Sequence, residues 1–202
     1  MLFIFEGGEV VTLQEILNMI SMKFPHYYGA NEIITMVNDV QRRIFRTMYK
    51  PVITSTFDLL TDNPAYPICF PPESIVSVVV NGEEYPYQNV KYDEFDRYYY
   101  ILDDNSIGIF PTPTADVTSG LTVFHYKDPA TLLDLDDVPD LDPAWHMLIV
   151  YHVCKNLAVM AKDDRATAFT VEINELEWEF RQSRAARPHR IKDVYGIRGC
   201  VI

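Results

Sequence analysis

The chain has 202 residues, of which 48% are hydrophobic and 13% are aromatic, so it can bury a core and differs from a disordered protein. Its formal net charge of −12 has the wrong sign for a body that wraps DNA, because phosphate binding requires a basic surface. The apolar run at residues 1–5 has no preceding basic segment and is far shorter than a membrane span. Composition therefore predicts a globular protein with no membrane association.

Two amphipathic helices are predicted in the first quarter of the chain. Thr12 and Glu15 have the spacing of a capping box, in which each side chain binds a backbone donor at the start of a helix. Apolar residues then recur on one helical face until Pro25 ends the helix. A second helix is predicted to open near Asn31 and to stop before Pro51, since a proline disfavours helical backbone in the residue before it.

A β-rich stretch is predicted between these helices and the last part of the chain. The predicted strands are residues 53–59, 74–80, 83–87, 98–102, 106–110 and 121–126. Asn81 and Gly82 form the strongest short hairpin signal in the chain, because both residues accept the positive φ angles of a type I′ turn. Several prolines lie between the strands, where they interrupt no ladder. These strands predict a small antiparallel sheet, sandwich or barrel.

Two further helices are predicted after an acidic loop. Asp142 followed by Pro143 is a favourable helix start, and residues 145–161 are apolar on nearly every side, as expected of a central buried helix. The pair Asp163 and Asp164 can cap the next helix. Its apolar seam for packing on other helices consists of Phe169, Ile173, Leu176 and Phe180.

Together these elements predict an α+β chain: an α-helical bundle of about four helices, interrupted by a β-rich antiparallel insertion and followed by an extended C-terminal arm. The predicted domain organisation has four parts. They are residues 1–50 and 129–186 for the two halves of the helical bundle, 51–128 for the β-rich insertion, and 187–202 for an extended docking arm.

The sequence contains no arrangement of residues that predicts catalysis. Nucleophile-elbow, phosphate-loop, dinucleotide-binding and zinc-protease motifs are all missing from it, and its five histidines are scattered. The three cysteines, Cys69, Cys154 and Cys200, are far apart and odd in number, so they are predicted to be reduced, two in the core and one in the tail. We therefore expect no enzymatic activity and no cofactor.

Two clusters admit a functional and a structural interpretation. The acidic run contains Asp134, Asp136, Asp137, Asp140 and Asp142. It could bind calcium, but it lacks the turn glycine and distal glutamate of an EF-hand loop, so a solvated connector is favoured and no metal site is predicted. The tyrosines at 98–100 could stack on single-stranded bases, yet alternating strand faces favour packing in the core and at interfaces.

The C-terminal segment has the opposite charge to the rest of the chain. Residues 181–202 hold six basic residues and one acid and so carry +5, which leaves −17 on the first 180 residues of a chain with −12 overall. Either a solvated terminus or an arm that docks on an acidic partner and orders there would fit this pattern. The candidate docking residues are Arg181, Arg184, Arg187, His189, Arg190, Lys192, Tyr195 and Arg198.

The order and spacing of several segments resemble those of tailed-bacteriophage head-to-tail adaptor (connector) proteins. The likeness extends from about residue 10 to residue 182. The segments that carry it are 12–17, 37–42, 107–113, the strand ending at Tyr126 with the following 128–129, and 136–141 leading into 145–146.

The resemblance implies a structural virion protein of the neck, made in the host cytoplasm and assembled as a homo-oligomeric ring of twelve copies beneath the portal protein. The C-terminal segment would reach the portal, and tail or nozzle proteins would bind the β-rich side. Genome DNA would pass through the lumen without sequence-specific binding. Two alternatives remain: a tail completion or terminator protein, and a cation-dependent surface-binding module that uses the β-rich stretch and the acidic run.

Overall fold

A computed structural model describes residues 11–89, 95–103 and 105–185 of the chain. The described residues divide into two compact units: those up to Gln41 together with those from Ala130 onward, and Arg42–Pro129. The first unit is mainly helical and the second mainly β. The predicted α+β class is confirmed, since four α-helices accompany antiparallel sheets. The predicted C-terminal arm at 187–202 lies outside the described residues.

The four α-helices are α1 (Leu13–Lys23), α2 (Ala30–Ile44), α3 (His146–Ala161) and α4 (Arg165–Ala185). The predicted capping box is present at α1, where Thr12 Oγ1 accepts from the Glu15 amide and the Glu15 carboxylate accepts from the Thr12 amide. At the start of the third helix, Asp142 Oδ1 accepts from the Ala144 amide and begins a 3₁₀ turn, Pro143–Trp145, that leads into α3. Both predicted helix starts are confirmed.

The second helix ends differently from the prediction. α2 stops at Ile44, and the segment Phe45–Tyr49 continues as a π-helix that ends at Lys50 in the left-handed conformation, with φ 39°. The rings of Phe45 and Tyr49 meet edge to face, 4.8 Å between centroids, across this wider turn. Apolar periodicity over 31–48 does not distinguish a π turn from an α turn over so short a span, so the sequence indicated one uninterrupted helix.

The helical unit buries apolar side chains from all its helices. The buried set includes Leu13, Ile16, Ile20, Ile33, Val37, Leu148, Ile149, Val153, Leu157, Ile173 and Phe180. α3 is buried on most sides, as its sequence predicted. α4 contributes the predicted seam, of which Phe169 and Ile173 are buried and Leu176 is half-buried. Phe180 packs edge to face on Trp145, 5.1 Å between ring centroids, and so fixes the end of α4 to the start of α3.

The β unit contains two antiparallel sheets. The strands are β1 (Val52–Leu59), β2 (Ala65–Pro67), β3 (Ile75–Val80), β4 (Glu83–Tyr85), β5 (Tyr98–Asp103), β6 (Ser106–Phe110) and β7 (Val117–Tyr126). One sheet has the order β1-β7-β3-β4 and the other has β2-β6-β5. Four of these strands match the predicted ones within one residue at each end, β4 is two residues shorter than expected, and β7 begins four residues earlier than expected. β2 was not predicted, because a three-residue strand that ends in proline has no detectable alternation.

Turn chemistry sets the register of the first sheet. Val80 pairs with Glu83 across the predicted hairpin, and Asn81 and Gly82 both have positive φ, 51° and 84°, as a type I′ turn requires. The second predicted hairpin also forms, between β5 and β6. The shared β core is built from Leu59, Tyr66, Ile68, Val78, Val80, Tyr99, Ile107, Ile109, Leu121 and Val123.

Candidate functional site

The helical end of the predicted docking segment lies on the last turns of α4. Arg181 and Arg184 are helical, and they are the two candidate docking residues that the structure describes. Cations at this position interact favourably with the carbonyl end of the helix dipole. The other six candidates, Arg187, His189, Arg190, Lys192, Tyr195 and Arg198, lie outside the described residues.

Both arginines have contacts within the helical unit. Arg181 Nη2 lies 3.2 Å from Glu177 Oε2, one helical turn earlier. Glu177 Oε1 also lies 3.4 Å from Nε2 of His152, a buried residue of α3. The Arg184 guanidinium lies over the Phe180 ring, 5.6 Å from its centroid. A partner that binds Arg181 would therefore compete with an exposed ion pair, which is worth no more than about 1 kcal/mol.

The outer face of α4 carries large apolar side chains that the sequence analysis did not single out. Trp178 is 64% exposed and Val171 is 52% exposed. A shallow groove on this face is lined by Val171, Asn174, Glu175, Trp178 and Glu179. A usable signal was present in the sequence, because Trp178 lies two residues before the buried Phe180 and therefore cannot share its helical face. An exposed tryptophan on a regular helix is typical of a protein-binding surface.

The loop at residues 130–142, which precedes α3, is held by side-chain amides of α2. Asn38 is 5% exposed, its Nδ2 donates to the Leu132 carbonyl over 2.9 Å, and its Oδ1 accepts from the Leu132 amide over 2.8 Å. Gln41 Nε2 donates to the Ala130 carbonyl over 3.0 Å. These bonds satisfy backbone groups of a loop that belongs to no sheet or helix, including the buried amide and carbonyl of Leu132.

The acidic run of this loop also serves as a structural connector. The carbonyl oxygens of Leu135 and Asp137 accept from amides in the first turn of α1. The Asp137 carboxylate accepts from the Leu133 and Asp134 amides, and these two bonds hold its pKa below the usual range. Asp140 accepts from the Ala130 amide. Three of the five predicted carboxylates, those of Asp137, Asp140 and Asp142, therefore bind backbone donors.

The described residues contain no cluster of metal-binding side chains that would support the cation-binding alternative. Nowhere in them do three or more His, Cys, Asp or Glu side chains come close enough together to bind a metal ion. The same loop instead displays apolar side chains on its outer side, and Leu133 is 73% exposed, with Leu135 and Val138 also exposed. A firmly hydrogen-bonded loop with exposed leucines fits a protein contact better than an ion site.

The tyrosines of β5 pack against neighbouring aromatic rings. Tyr98 and Tyr99 are buried, and the Tyr98 ring stacks on Phe110 at 5.1 Å between centroids. Tyr100 lies over Gly108 of β6 so closely that a Cβ at this glycine would overlap the tyrosine ring. Packing therefore accounts for these tyrosines, and stacking on nucleic-acid bases has no support in their placement.

The buried histidines and cysteines also have structural surroundings. His146 Nε2 donates to the Leu141 carbonyl over 2.7 Å, and burial lowers the pKa of His146 below its usual value. His125 Nε2 lies 2.9 Å from Ser55 Oγ, and Phe70 stacks on the imidazole ring 3.5 Å away. Burial raises the pKa of the Cys154 thiol to about 11. The prediction of two core thiols is wrong for Cys69, which is exposed, and Cys200 lies outside the described residues.

The fold and these surfaces are those of an α+β structural protein. Its exposed apolar and charged side chains lie on helices and hydrogen-bonded loops, as in proteins that bind other proteins. The chain belongs to the SU10 adaptor protein family, whose sequence pattern matches residues 11–192. The resemblance inferred from the sequence is thereby confirmed. No curated protein matches the chain.

Family membership assigns the chain a structural role as a head-to-tail adaptor of bacteriophages. It is accordingly a virion component, and membership of the adaptor family implies an association with portal and tail proteins. Adaptors of this kind are structural and typically have no catalytic activity. In the described residues, no helix is both long enough and apolar enough to cross a membrane.

Proposed function

We propose that twelve copies of this chain form a ring beneath the portal and join it to the tail or nozzle. The observation that carries the proposal is the division of charge: +5 on residues 181–202 and −17 on the preceding 180, within a total of −12. Opposite charge steers two surfaces together, so a basic segment on an acidic body fits attachment to an acidic partner.

The end of α4 is suited to present this segment to the portal. Phe180 is 2% exposed and packs on Trp145, so the backbone just before the basic residues is anchored in the helical unit. Arg181 and Arg184 follow on the solvent side of this anchor, where their present contacts are exposed or only partly buried. We infer that residues 187–202 form the portal-docking arm, that the helical parts 1–50 and 129–186 form the body of the ring, and that the β-rich part 51–128 meets the tail proteins.

A mixing experiment tests portal attachment. The portal protein of the same phage is mixed with the full-length chain, and the mass of the complex is measured by light scattering. Two variants are compared with it: a truncation after Ala185, which keeps all of α4, and the full chain with Arg181→Gln and Arg184→Gln. The adaptor ring and the arm are both supported if the full-length chain binds with about one copy per portal subunit and the truncated chain does not bind.

Other outcomes of this experiment separate the parts of the proposal. Binding that survives truncation but weakens in the arginine variant keeps the adaptor and moves the contact to the end of α4. Binding that survives in both variants keeps the adaptor and discards the basic segment. No binding by the full-length chain rejects portal attachment and favours a tail completion or terminator role.

DNA passage follows from the sign of the total charge. With −12 on each copy, a ring of twelve would carry −144, and acids that line its lumen would repel phosphate rather than bind it. Reversal of lumen acids to lysine should slow ejection of the genome, because each new cation adds a salt-dependent phosphate contact. Ejection kinetics measured on assembled particles at several salt concentrations test this, and unchanged kinetics contradict it.

A further inference from the structure

The outer face of α4 exposes two large apolar side chains, Val171 and Trp178. Val171 and Trp178 are seven residues apart, about two helical turns, so they lie nearly in line on the solvent side. Ile173 and Phe180 bury the opposite side of the same helix. Packing within the unit therefore does not require Trp178, and its large apolar surface is available for a partner.

The flank of this apolar line is acidic. Glu172, Glu175 and Glu179 recur at intervals of three and four residues, which places them side by side along one edge of the line, and all three are exposed. An indole ring beside carboxylates is suited to arginine, because a guanidinium can stack on the ring while its edge binds the carboxylates. The chemistry of this face therefore selects a partner that presents arginines from a firm backbone.

The end of α2 in the same chain presents exposed arginines on helical backbone. Arg43 and Arg46 are exposed, three residues apart, on the last turn of α2 and the π-helix that follows it. Arg46 Nε lies 3.6 Å from Asp128 Oδ1, but both side chains are largely exposed, so this ion pair is weak enough to exchange. These arginines stand on helical backbone in a chain whose first 180 residues carry −17.

We propose that, in the ring, the outer face of α4 of one copy binds the Arg43 and Arg46 face of the next copy. Two different patches that complement each other form a heterologous contact, which is the kind that closes into rings. Trp178 supplies the buried apolar centre, while Glu175 and Glu179 supply the charge pairing. The inference deepens the proposed function, since it rests on the ring.

Charge reversal on each face provides the test. One variant carries Glu175→Lys and Glu179→Lys, and the other carries Arg43→Glu and Arg46→Glu. All four side chains are exposed, so both variants should fold, which circular dichroism and thermal melting check. Each variant is mixed with the portal protein of the same phage, alone and as an equimolar mixture, and assembly mass is measured by native mass spectrometry.

We expect each variant alone to lose the full-occupancy complex, because every contact between copies would then join two faces of like charge. The equimolar mixture should recover it. In an alternating ring, each lysine-bearing α4 face meets a glutamate-bearing α2 face, and the remaining contacts keep the wild-type pairing. Trp178→Ala should reduce occupancy by itself, and no mixture of that variant with either charge variant should restore it fully.

Either charge variant assembling alone as well as wild type would overturn the inference, and so would a mixture that fails to recover. The second result would mean that the α4 face binds another occupant, such as the portal itself. Neither result affects portal attachment, because wild type would still assemble in the same experiment. Failure of wild type to bind the portal would instead reject the proposed function.

Discussion

Each of the two units is stabilised internally by a different kind of contact. In the β unit, the core is aliphatic and aromatic, and its strands satisfy each other's backbone groups. In the helical unit, the loop that precedes α3 has no ladder, so Asn38 and Gln41 reach from α2 to satisfy its backbone. The two units should therefore respond differently to substitution of buried residues. In the β unit, stability should depend most on side-chain volume, and beneath the loop it should depend most on whether buried polar groups keep their hydrogen bonds.

The largest expected effect separates the two faces of α4. Phe180→Ala should lower the free energy of unfolding by about 3–5 kcal/mol, because it removes a buried ring and leaves a cavity against Trp145. Trp178→Ala, two residues earlier on the exposed face, should change it by less than about 0.5 kcal/mol. Urea denaturation followed by circular dichroism measures both, and similar costs for the two variants would refute the assignment of the faces.

The next effect tests the loop contact. Asn38→Ala should cost about 2–4 kcal/mol, since it leaves the amide and the carbonyl of Leu132 buried without their partner. Thr35→Ala on the exposed side of the same helix is the matched control and should be nearly neutral. If denaturant unfolding shows the same stability for both variants, the polar account of this unit is wrong.

A smaller effect tests volume in the β unit. Gly108→Ala should cost about 1–3 kcal/mol, because the new methyl group overlaps the Tyr100 ring. In a Tyr100→Ala background the same substitution should cost much less, since the obstructing ring is gone. A double-mutant cycle by thermal denaturation measures the coupling, and additive effects would show that the ring does not restrict this position.

The smallest effect is a pH dependence of the helical unit. Burial lowers the pKa of His146 below its ordinary value of 6.5, so the unfolded chain binds a proton more readily than the folded one. The stability that neutral His146 provides is therefore complete above about pH 6.5 and is lost as the pH falls through its lowered folded pKa. His146→Gln, which can keep a donor to the Leu141 carbonyl, should flatten the slope between pH 7 and 5 in denaturant titrations.

Local signals predicted much of the fold because each acts over a few residues. The capping box at Thr12, the Asp142 helix start and the Asn81-Gly82 turn all specify backbone geometry directly, and all three are present. The π-helix at Phe45–Tyr49 was not predicted, since apolar spacing does not reveal one extra residue in a turn.

The candidate surfaces were less predictable than the fold. Charge counting identified the segment beginning at Arg181, whose docking role stays a prediction. Charge counting could not identify the α4 face, because the side chain that distinguishes this face, Trp178, is uncharged and its exposure is visible only in the fold. Exposure of an aromatic side chain depends on which helix face finds a partner within the same chain, and that information is tertiary.

The position of β1 at the edge of its sheet has a consequence for how a copy survives before it is assembled. An edge strand with a row of unpaired backbone groups invites other chains to add to it and aggregate. Here Pro51 stands immediately before β1, and the pairing shifts near its other end, where Asp58 accepts from the Ser119 amide. Exposed Thr54 and Thr56 occupy its middle. These features interrupt the strand near both of its ends, and so they limit the length of edge on which another chain could pair.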